Sequence, residues 1–269
     1  MSETLRVMSF NVRFPSPDDG PNVWGARRDT LVAALRGRAP DVVGAQEIYY
    51  EQGTYVVEKL PEYAWFGVGR TGTQRDEHMG IFYRRDRLKL KEHGHFWLSE
   101  TPELPGSRSW GMDLPRMVTW GRFETPGGRR FALLNTHLAH RPEDEAARLN
   151  GVALIAERFR RLADGAPVLM TGDFNDVPGG RVYEAFRAAG LCDARTLAPA
   201  VEGPEGTFHG FSGLEIGPRI DWILCGPEGW SVRRFETVTF HEEGRYPSDH
   251  FPVLADLGFE GPPPSVRAP

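Results

Sequence analysis

Short apolar runs that end in a polar residue recur along this chain, and they limit its possible folds more than any other feature. The clearest run, 168–171, is ended by Gly172 and followed by Asp173 and Asn175. An apolar run of this length between turn formers predicts a buried strand. If extended backbone continues past Gly172, Asp173 and Asn175 point to the same side, because side chains alternate along a strand. The pair could hold a water or a cation, although an ordinary Asx turn is the simpler interpretation of this segment alone.

Similar runs and helical periodicities cover most of the chain. Helical spacing is found from Trp24 up to Pro40 and in three further segments, at 55–60, 143–162 and 181–189. Strands are predicted at 5–12, 41–47, 64–68, 79–83, 88–98, 117–123, 130–138, 220–225, 232–238 and 251–257. Strands outnumber helices, and helices occur in both halves of the chain. We therefore predict two sheets packed face to face with helices outside, a layered α/β domain.

The domain organisation follows from what interrupts these runs. The 269 residues could form one large core or two modest ones. No stretch of linker composition and no repeat divides the chain, so we predict one domain over 1–258 and a Pro-rich, disordered tail over 259–269. The loop 99–115 is the least regular internal segment, and a loop of that length is usually functional or disordered.

Composition narrows the class of partner and the compartment. A net charge of −5 argues against a general nucleic-acid binder held by phosphate attraction, but it does not exclude a phosphate substrate. Cys192 and Cys225 have no metal-binding or disulfide spacing, which favours a reducing compartment. The start of the sequence has no signal-peptide pattern and no apolar run approaches bilayer length. We predict a cytoplasmic, monomeric protein that does not act on membranes.

Six apolar runs end in residues suited to metal or proton chemistry. They are Ser9–Asn11, Gly44–Glu47, Asn135–Leu138, Gly172–Asn175, Arg219–Trp222 and Ser248–His250. One polar strand end means little, because every strand must stop somewhere. Six of them could meet at one rim of a sandwich, and a set rich in oxygen ligands with few imidazoles suits Mg²⁺ or Mn²⁺ better than zinc.

In this order and at these separations, the six segments resemble the endonuclease/exonuclease/phosphatase superfamily. That superfamily includes deoxyribonuclease I-like nucleases, abasic-site endonucleases, deadenylases, inositol polyphosphate 5-phosphatases and neutral sphingomyelinases. The resemblance runs from Leu5 to about Leu257, and it is closest to a bacterial group of metal-dependent hydrolases that shares Phe96–Ser99, Pro115-Arg116 and Thr207–Gly210. It implies a four-layered α/β sandwich of two mostly antiparallel sheets with helices outside.

The resemblance also implies catalytic roles. Asp173 looks like the group that orients or deprotonates the attacking water, and Asn175 positions that water or the scissile phosphate. His250 would lie on the phosphate, held by a hydrogen bond to Asp221. His137 would stabilise the phosphate or the leaving group. A cation and a carboxylate-held imidazolium can together neutralise the charge that develops during phosphoester hydrolysis.

The metal ligands implied by the resemblance are Glu47, as the principal ligand of Mg²⁺ or Mn²⁺, with Asn11 close by and Asp249 near the ion. Two departures from related sequences matter here. Abasic-site endonucleases carry an aspartate where this chain has Arg13, and this difference argues against the hypothesis that the chain is an abasic-site endonuclease. Many close bacterial relatives carry an aspartate where this chain has Ala139, which leaves the number of metal ions open.

Three further residues are candidates for the substrate-phosphate site. Arg116 and His209 occupy positions that could contact a phosphate, and Glu77 fits a glutamate that precedes the corresponding strand in deadenylase-like relatives. For Arg116 the alternative is a surface arginine paired with a nearby acid.

The function implied is that of a divalent-metal-dependent phosphoesterase that hydrolyses a phosphodiester, with a nuclease or phosphodiesterase favoured. The net negative charge favours single-stranded or short DNA or RNA over duplexes. One alternative is a phosphomonoesterase acting on inositol phosphates or another small phosphoester. An alternative of a different class is a non-catalytic binding module with the same fold.

Overall fold

Two β-sheets form the centre of the molecule in the computed structural model, which describes residues 3–260. The strands are β1 (Thr4–Asn11), β2 (Val42–Ile48), β3 (Tyr63–Phe66), β4 (His78–Arg84), β5 (Lys89–Trp97), β6 (Met117–Glu124), β7 (Arg130–His137), β8 (Val168–Asp173), β9 (Cys192–Asp193), β10 (Val201–Glu202), β11 (Asp221–Cys225), β12 (Trp230–Thr237) and β13 (Val253–Phe259). One sheet has seven strands in the order β10-β12-β13-β1-β2-β4-β3, and the other has six in the order β5-β6-β7-β8-β11-β9.

Most neighbouring strands are antiparallel, but each sheet has a parallel pair at its centre. These pairs are β1–β2 and β7–β8. Each needs a crossover, and a helix provides it because a hairpin cannot join parallel strands. As a result, the carboxyl ends of β1 and β2, and those of β7 and β8, lie at the same edge of their sheets. The antiparallel neighbours β11 and β13 begin at that edge.

The helices cover the outer faces of both sheets. The helices that do so are α1 (Trp24–Arg38), α2 (Tyr50–Lys59), α3 (Glu145–Ala163) and α4 (Arg181–Ala188). The short α5 (Ala194–Leu197) instead lies beside β11 and β12 and contributes Ala194 to the cluster between the sheets. Leu31 and Leu35 of α1 pack with Val56 of α2 against the seven-stranded sheet. Ile155 of α3 and Phe186 of α4 belong to the cluster on the six-stranded sheet. The predicted four-layered sandwich is confirmed.

The core between the sheets is apolar over most of its extent and polar near one edge. The inward side chains of Val7, Leu133, Leu169 and Ile223 are buried there in one cluster, as alternation along the strands predicts. Burial of this kind contributes about 25 cal/mol for each Å² of apolar surface. It holds the two sheets, and therefore their strand ends, in a fixed relation.

At the polar edge, four buried side chains connect the sheets. Gln46 Nε2 donates to Asn135 Oδ1 (2.7 Å) and to Ser9 Oγ (3.2 Å), while Thr171 Oγ1 also donates to Asn135 Oδ1 (3.1 Å). The strand position facing them is Gly44, where any Cβ would collide with Thr171 and Asn135. This network joins the ends of four strands, although the buried Gln46 Oε1 has no hydrogen-bond partner within residues 3–260.

Several local predictions need correction. Helix α2 begins at Tyr50, earlier than its periodicity indicates. Helix α3 begins at Glu145, because 142–144 form a 3₁₀ turn, so Glu143 and Asp144 do not belong to its first turn. Asp144 is buried and pairs with Arg141 at 2.7 Å. Strands β9 and β10 and helix α5 were missed because they contain only two to four residues.

Other predictions can be compared directly with the structure. Strands β6 and β7, predicted at 117–123 and 130–138, form a hairpin closed by a hydrogen bond from Thr125 N to Arg129 O of 2.8 Å. Both cysteines are free. Strand β13 extends to Phe259, one residue into the predicted tail, and the rest of that tail from 261 onward lies outside the described residues. Within residues 3–260, no helix has the length and apolarity needed to cross a membrane.

Candidate active site

A cleft of about 590 Å³ opens at the edge where the central strands end. Glu47 is the next-to-last residue of β2, His137 ends β7 and Asp173 ends β8. Asp249 and His250 lie just before β13, and the hydroxyl of Ser248 anchors their loop by donating to the Asn11 carbonyl at 2.7 Å. The cleft is lined by residues from five of the six predicted segments: Glu47, His137, Asp173, Asn175, Ile220, Asp249 and His250. Asn11 and Asp221 contact these residues from below.

Glu47 is turned toward the cleft by an irregularity in its strand. The register between β2 and β4 shifts between Ala45 and Ile48, and Glu47 has a φ of 59°. A bulge of this kind redirects one side chain out of the regular alternation. Asn11 Nδ2 then donates to Glu47 Oε1 (3.0 Å) and to Asp173 Oδ2 (2.9 Å), which ties the two carboxylates together across the sheets.

Asp173 and Asn175 both line the cleft, but strand alternation is not the cause. Strand β8 stops at Asp173, and Asn175 adopts a left-handed φ of 49°. The Asn175 N–H donates to Asp173 Oδ1 (3.1 Å), and Asn175 Nδ2 donates to the Leu138 carbonyl (3.1 Å). The segment is therefore an Asx turn, and this turn delivers both side chains to the site. An Asx turn and a pair of side chains that could hold a water or a cation are therefore compatible interpretations of this segment.

The protonation of Asp173 is perturbed by its surroundings. Burial, followed by the charge of Asp221, raises the pKa of Asp173 to about 7, although the nearby imidazole of His250 acts in the opposite direction. A carboxylate with a pKa near neutrality can accept a proton from water more readily than an ordinary aspartate can. Such a shift inside a cleft is typical of a functional residue.

His250 and Asp221 form a buried pair. His250 Nδ1 donates to Asp221 Oδ2 at 2.8 Å, and both side chains are almost fully buried. Burial alone lowers the pKa of His250, but the Asp221 carboxylate outweighs it and the resulting pKa is about 10. His250 therefore carries a positive charge at neutral pH, and its Nε2 lies 3.9 Å from Asp173 Oδ2.

His137 has the opposite character. Its Nε2 lies 3.5 Å from Asp173 Oδ2. Burial, together with the charges of Arg116 and His250, holds the pKa of His137 well below its ordinary value. The cleft thus presents one charged and one neutral imidazole on either side of Asp173.

Arg116 is buried on the wall of the cleft and is not a paired surface arginine. Its side chain is only 4% exposed, and Nη2 donates to His140 Nδ1 at 3.2 Å. Nη1 is buried and has no hydrogen-bond partner. Within residues 3–260, no ion pair of Arg116 is found. A buried guanidinium with a donor to spare is suited to an anionic ligand.

Glu77 also lines this wall, where Arg70 Nη1 pairs with Glu77 Oε2 at 2.7 Å. Burial and the charge of Glu47 raise the pKa of Glu77. The pair places an acceptor and a donor side by side, an arrangement suited to a polyhydroxyl group.

His209 is the one predicted site residue that the structure places away from the cleft. Its ring stacks on Phe251 with centroids 4.0 Å apart, and its Nδ1 accepts from Gly213 N at 3.2 Å. Burial lowers the pKa of His209 to about 4. It does not line the cleft. Its contact with a substrate phosphate, expected from the sequence, is not supported by this geometry.

The residues present can be tested for their fit to a divalent metal ion. Ligand atoms of Glu47, His137 and Asp173 lie within 4.8 Å of one another, and so do those of Asp173, Asp221 and His250. In the second group the imidazole is protonated and held by Asp221, so it cannot ligate. The first group offers two carboxylates and a neutral imidazole. This oxygen-rich set fits a hard cation such as Mg²⁺ or Mn²⁺.

Three arginines at or near the site were not recognised as site residues from the sequence: Arg70, which pairs with Glu77, Arg13 and Arg27. Arg13 lines the cleft and was noted only as a departure from related sequences. Arg27 is fully buried in α1 and donates to five backbone carbonyls, those of Asn22, Val12, Pro247, Arg13 and Phe14. Its position in a helical run gives no indication of this, since charged residues in such runs usually face solvent.

The chain is similar to a known protein family and to solved structures. A family model described as endonuclease/exonuclease/phosphatase family matches residues 8–250. The solved structure of an endonuclease/exonuclease/phosphatase family protein from Bacteroides thetaiotaomicron is 34% identical with a TM-score of 0.91, covering 97% of this chain and 99% of that one.

Two other similar proteins are known by individual names. A mannosyl-6-phosphatase from Bacteroides thetaiotaomicron is 35% identical with a TM-score of 0.88, over 95% of this chain and 100% of that one. Human Nocturnin is 22% identical over 289 residues, which cover 95% of this chain and 65% of Nocturnin. The chain thus spans about two thirds of the length of that relative.

Proposed function

Because the chain belongs to the endonuclease/exonuclease/phosphatase family, we propose that it is a divalent-metal-dependent phosphoesterase that hydrolyses a phosphodiester by attack of water on phosphorus. The observation that supports this proposal most is the meeting of three elements in one cleft. These are the Asn11-linked carboxylates of Glu47 and Asp173, the Asp221–His250 ion pair, and the unpartnered donor of Arg116.

Glu47 would hold the metal ion as principal ligand, with Asn11 and Asp249 beside it. A bound Mg²⁺ or Mn²⁺ would supply Lewis-acid stabilisation of the charge on the phosphate oxygens. Asn11 fixes the orientation of the Glu47 carboxylate through its 3.0 Å hydrogen bond. The Phe14 N–H donates to the other Glu47 oxygen at 3.2 Å, so the carboxylate is preorganised.

Asp173 would accept the proton of the attacking water, and Asn175 would orient that water or the phosphate. A pKa of about 7 lets Asp173 be ionised in part and still be a competent base near neutral pH. Asn175 Nδ2 is used by the Leu138 carbonyl. Its side-chain oxygen has no partner among the described hydrogen bonds and could accept from the water.

His250 and His137 would act on the phosphate from two sides. The imidazolium of His250, kept charged by Asp221, would bind a non-bridging oxygen and offset its developing negative charge. The neutral His137 would donate a hydrogen bond to the phosphate or the leaving oxygen. Arg116 would contribute its free Nη1 to the same group.

The substrate proposed first is a nucleic acid or another diester, with single-stranded or short molecules favoured by the net charge of −5. A second candidate is a sugar phosphomonoester. It is supported by the 35% identity to a mannosyl-6-phosphatase over 95% of this chain and by Glu77, whose carboxylate would repel a second phosphate but accept from hydroxyl groups. A non-catalytic binding module remains the competing class.

A substrate panel distinguishes these functions. Metal-stripped protein is assayed with Mn²⁺ or Mg²⁺ on single- and double-stranded DNA, RNA, bis-nitrophenyl phosphate, nitrophenyl phosphate, inositol phosphates and mannose 6-phosphate. We expect metal-dependent hydrolysis of a diester. Faster turnover of the monoesters would favour the second candidate, and a flat response would favour the binding module.

Asp173→Asn tests the mechanism on whichever substrate is turned over. Loss of a general base typically costs about 10²–10⁴-fold in rate, and we expect a loss in that range with an unchanged melting temperature. The control is Asp18→Asn, the same chemical change at an exposed position in the loop after β1. Full activity in Asp173→Asn would exclude Asp173 from the mechanism.

A further inference from the structure

Arg13 places a positive charge between the two carboxylates expected to be nearest the metal ion. Its Nη1 lies 4.0 Å from Glu47 Oε2, and its Nε lies 3.9 Å from Asp249 Oδ2. All three side chains are mostly buried in the wall of the cleft. The guanidinium is therefore shared between these acids at a range where water screens the attraction only in part.

The position of Arg13 is fixed by contacts on both its backbone and its side chain. Its φ of 56° is left-handed, and its N–H donates to Asn11 Oδ1 at 3.0 Å. Its carbonyl accepts from Arg27 Nη2 (2.6 Å) and Gln52 Nε2 (2.9 Å). A left-handed backbone at a non-glycine residue is uncommon and costs energy, so the surrounding contacts must hold it.

The side chain is held from two further directions. The Asp19 carboxylate accepts hydrogen bonds from two nitrogens of the Arg13 guanidinium, from Nη2 at 2.8 Å and from Nε at 3.2 Å. The guanidinium also lies over the ring of Phe14, 4.4 Å from the ring centroid. These contacts hold the guanidinium of Arg13 between the carboxylates of Glu47 and Asp249.

We propose that Arg13 is a built-in cation of this site and that the cleft consequently takes one divalent ion per chain. The proposal rests on the proposed function, because it assumes that Glu47 is a metal ligand. Two-metal hydrolases hold their ions about 3.5–4 Å apart on shared carboxylates. A second ion using Glu47 Oε2 and Asp249 Oδ2 together would compete with the guanidinium for the same oxygens and would be repelled by its charge.

Arg13 is a positioning residue in this account. It balances the charge of the two acids and fixes their position, and it does not activate water as a metal ion does. The choice between one ion and two, which the sequence left open, is then made by a side chain of the protein itself.

The test is a count of bound ions. The metal-stripped 269-residue chain is titrated with Mn²⁺ at constant pH and salt by isothermal calorimetry, with free Mn²⁺ measured independently by electron paramagnetic resonance. We expect one ion for the wild-type chain and two for Arg13→Gly. Glycine adopts a left-handed φ without strain, so this variant removes the cation without disturbing the backbone conformation.

Controls separate charge removal from misfolding. Arg28→Ala removes an exposed arginine that lies over the ring of Tyr55, and it should still bind one ion. Arg13→Asn is a second neutral variant whose side chain also tolerates a left-handed φ, and it replaces Arg13→Gly if that protein has a lowered melting temperature.

Two ions in the wild-type chain would overturn the proposal, and so would a single ion in a folded Arg13→Gly or Arg13→Asn protein. In both cases the phosphoesterase assignment would stand. Absence of Mn²⁺ binding, or binding that Glu47→Gln does not weaken, would remove this proposal together with the metal dependence on which it rests.

Discussion

Replacing Arg27 with methionine should separate the support of the active site from its chemistry. Arg27 is fully buried and holds the segment after β1 and the segment before β13 through backbone carbonyls. Those segments carry Arg13 and, beyond Pro247, Asp249 and His250. Methionine keeps a similar length and shape but donates no hydrogen bond, so the carbonyls lose their common donor.

The size of the effect follows from which carbonyls have another partner. Those of Arg13 and Phe14 also accept from Gln52 and Ser16. Those of Asn22, Val12 and Pro247 have only Arg27 among the described hydrogen bonds. A buried acceptor left unpaired costs about 1–3 kcal/mol, which gives roughly 3–9 kcal/mol for three of them.

An opposing effect comes from the charge that is removed. Burial lowers the pKa of Arg27 from its ordinary value to about 10. At about 1.4 kcal/mol for each pKa unit, relieving this desolvation returns about 3 kcal/mol. We therefore expect Arg27→Met to lower the free energy of unfolding by about 3 kcal/mol, the midpoint of a range of roughly 0–6 kcal/mol, measured by urea denaturation.

The same variant should lose activity beyond what its folded fraction explains. A shift of about 1 Å in catalytic groups can cost about 10²-fold in rate, and we expect kcat to fall by about 10–100-fold in the folded protein. Arg28→Met is the matched control, because Arg28 is the next residue of α1 and is exposed. An Arg27→Met protein with wild-type unfolding and wild-type kcat would show that the five hydrogen bonds do not position the site.

Three other variants test separate parts of the site. Glu47→Ala should raise the Mn²⁺ or Mg²⁺ concentration that gives the half-maximal rate, because a ligand is lost, and no change in that concentration would refute the ligand role. In the metal-free protein, the Asp221–His250 pair should contribute its full stability below about pH 6.5 and lose it as the pH rises through the His250 pKa of about 10. Thermal melting from pH 7 to 10.5 should therefore fall more steeply for the wild-type chain than for Asp221→Asn, and parallel curves would contradict the assigned pair. Arg116→Met should raise KM by at least about tenfold with little change in the melting temperature, since among the described residues Nη1 has no partner and only the 3.2 Å hydrogen bond from Nη2 to His140 is lost. An unchanged KM for every phosphoester would exclude a substrate contact.

Much of the architecture could be predicted from local patterns. Alternation along the strands and the position of turn formers predict the sandwich, because each strand must bury one face whatever its neighbours are. The polar residues at the strand ends could be identified in the same way. Helix and strand limits were less accurate: the start of α3 depends on a 3₁₀ turn and on the buried Asp144–Arg141 pair, which no periodicity reveals.

The arrangement within the site depended on contacts between distant segments. Arg13 is 34 residues from Glu47 and far more from Asp249 along the chain, and only the packing of the two sheets places its guanidinium between them. His209 was a candidate phosphate contact in the sequence, yet it packs against Phe251 outside the cleft. Asn175 reached the cleft by a turn where alternation would have required an extended strand.

By itself, the sequence determined the two-sheet layered class and the types of residue at the strand ends, because both follow from interactions between near neighbours in the chain. Tertiary structure alone decided the ionisation of Asp173, His137 and His250 and the pairing of Arg13 and Arg27. Those properties depend on burial and on charges brought close by long-range packing, and the pKa of a side chain responds to that environment and not to its place in the sequence.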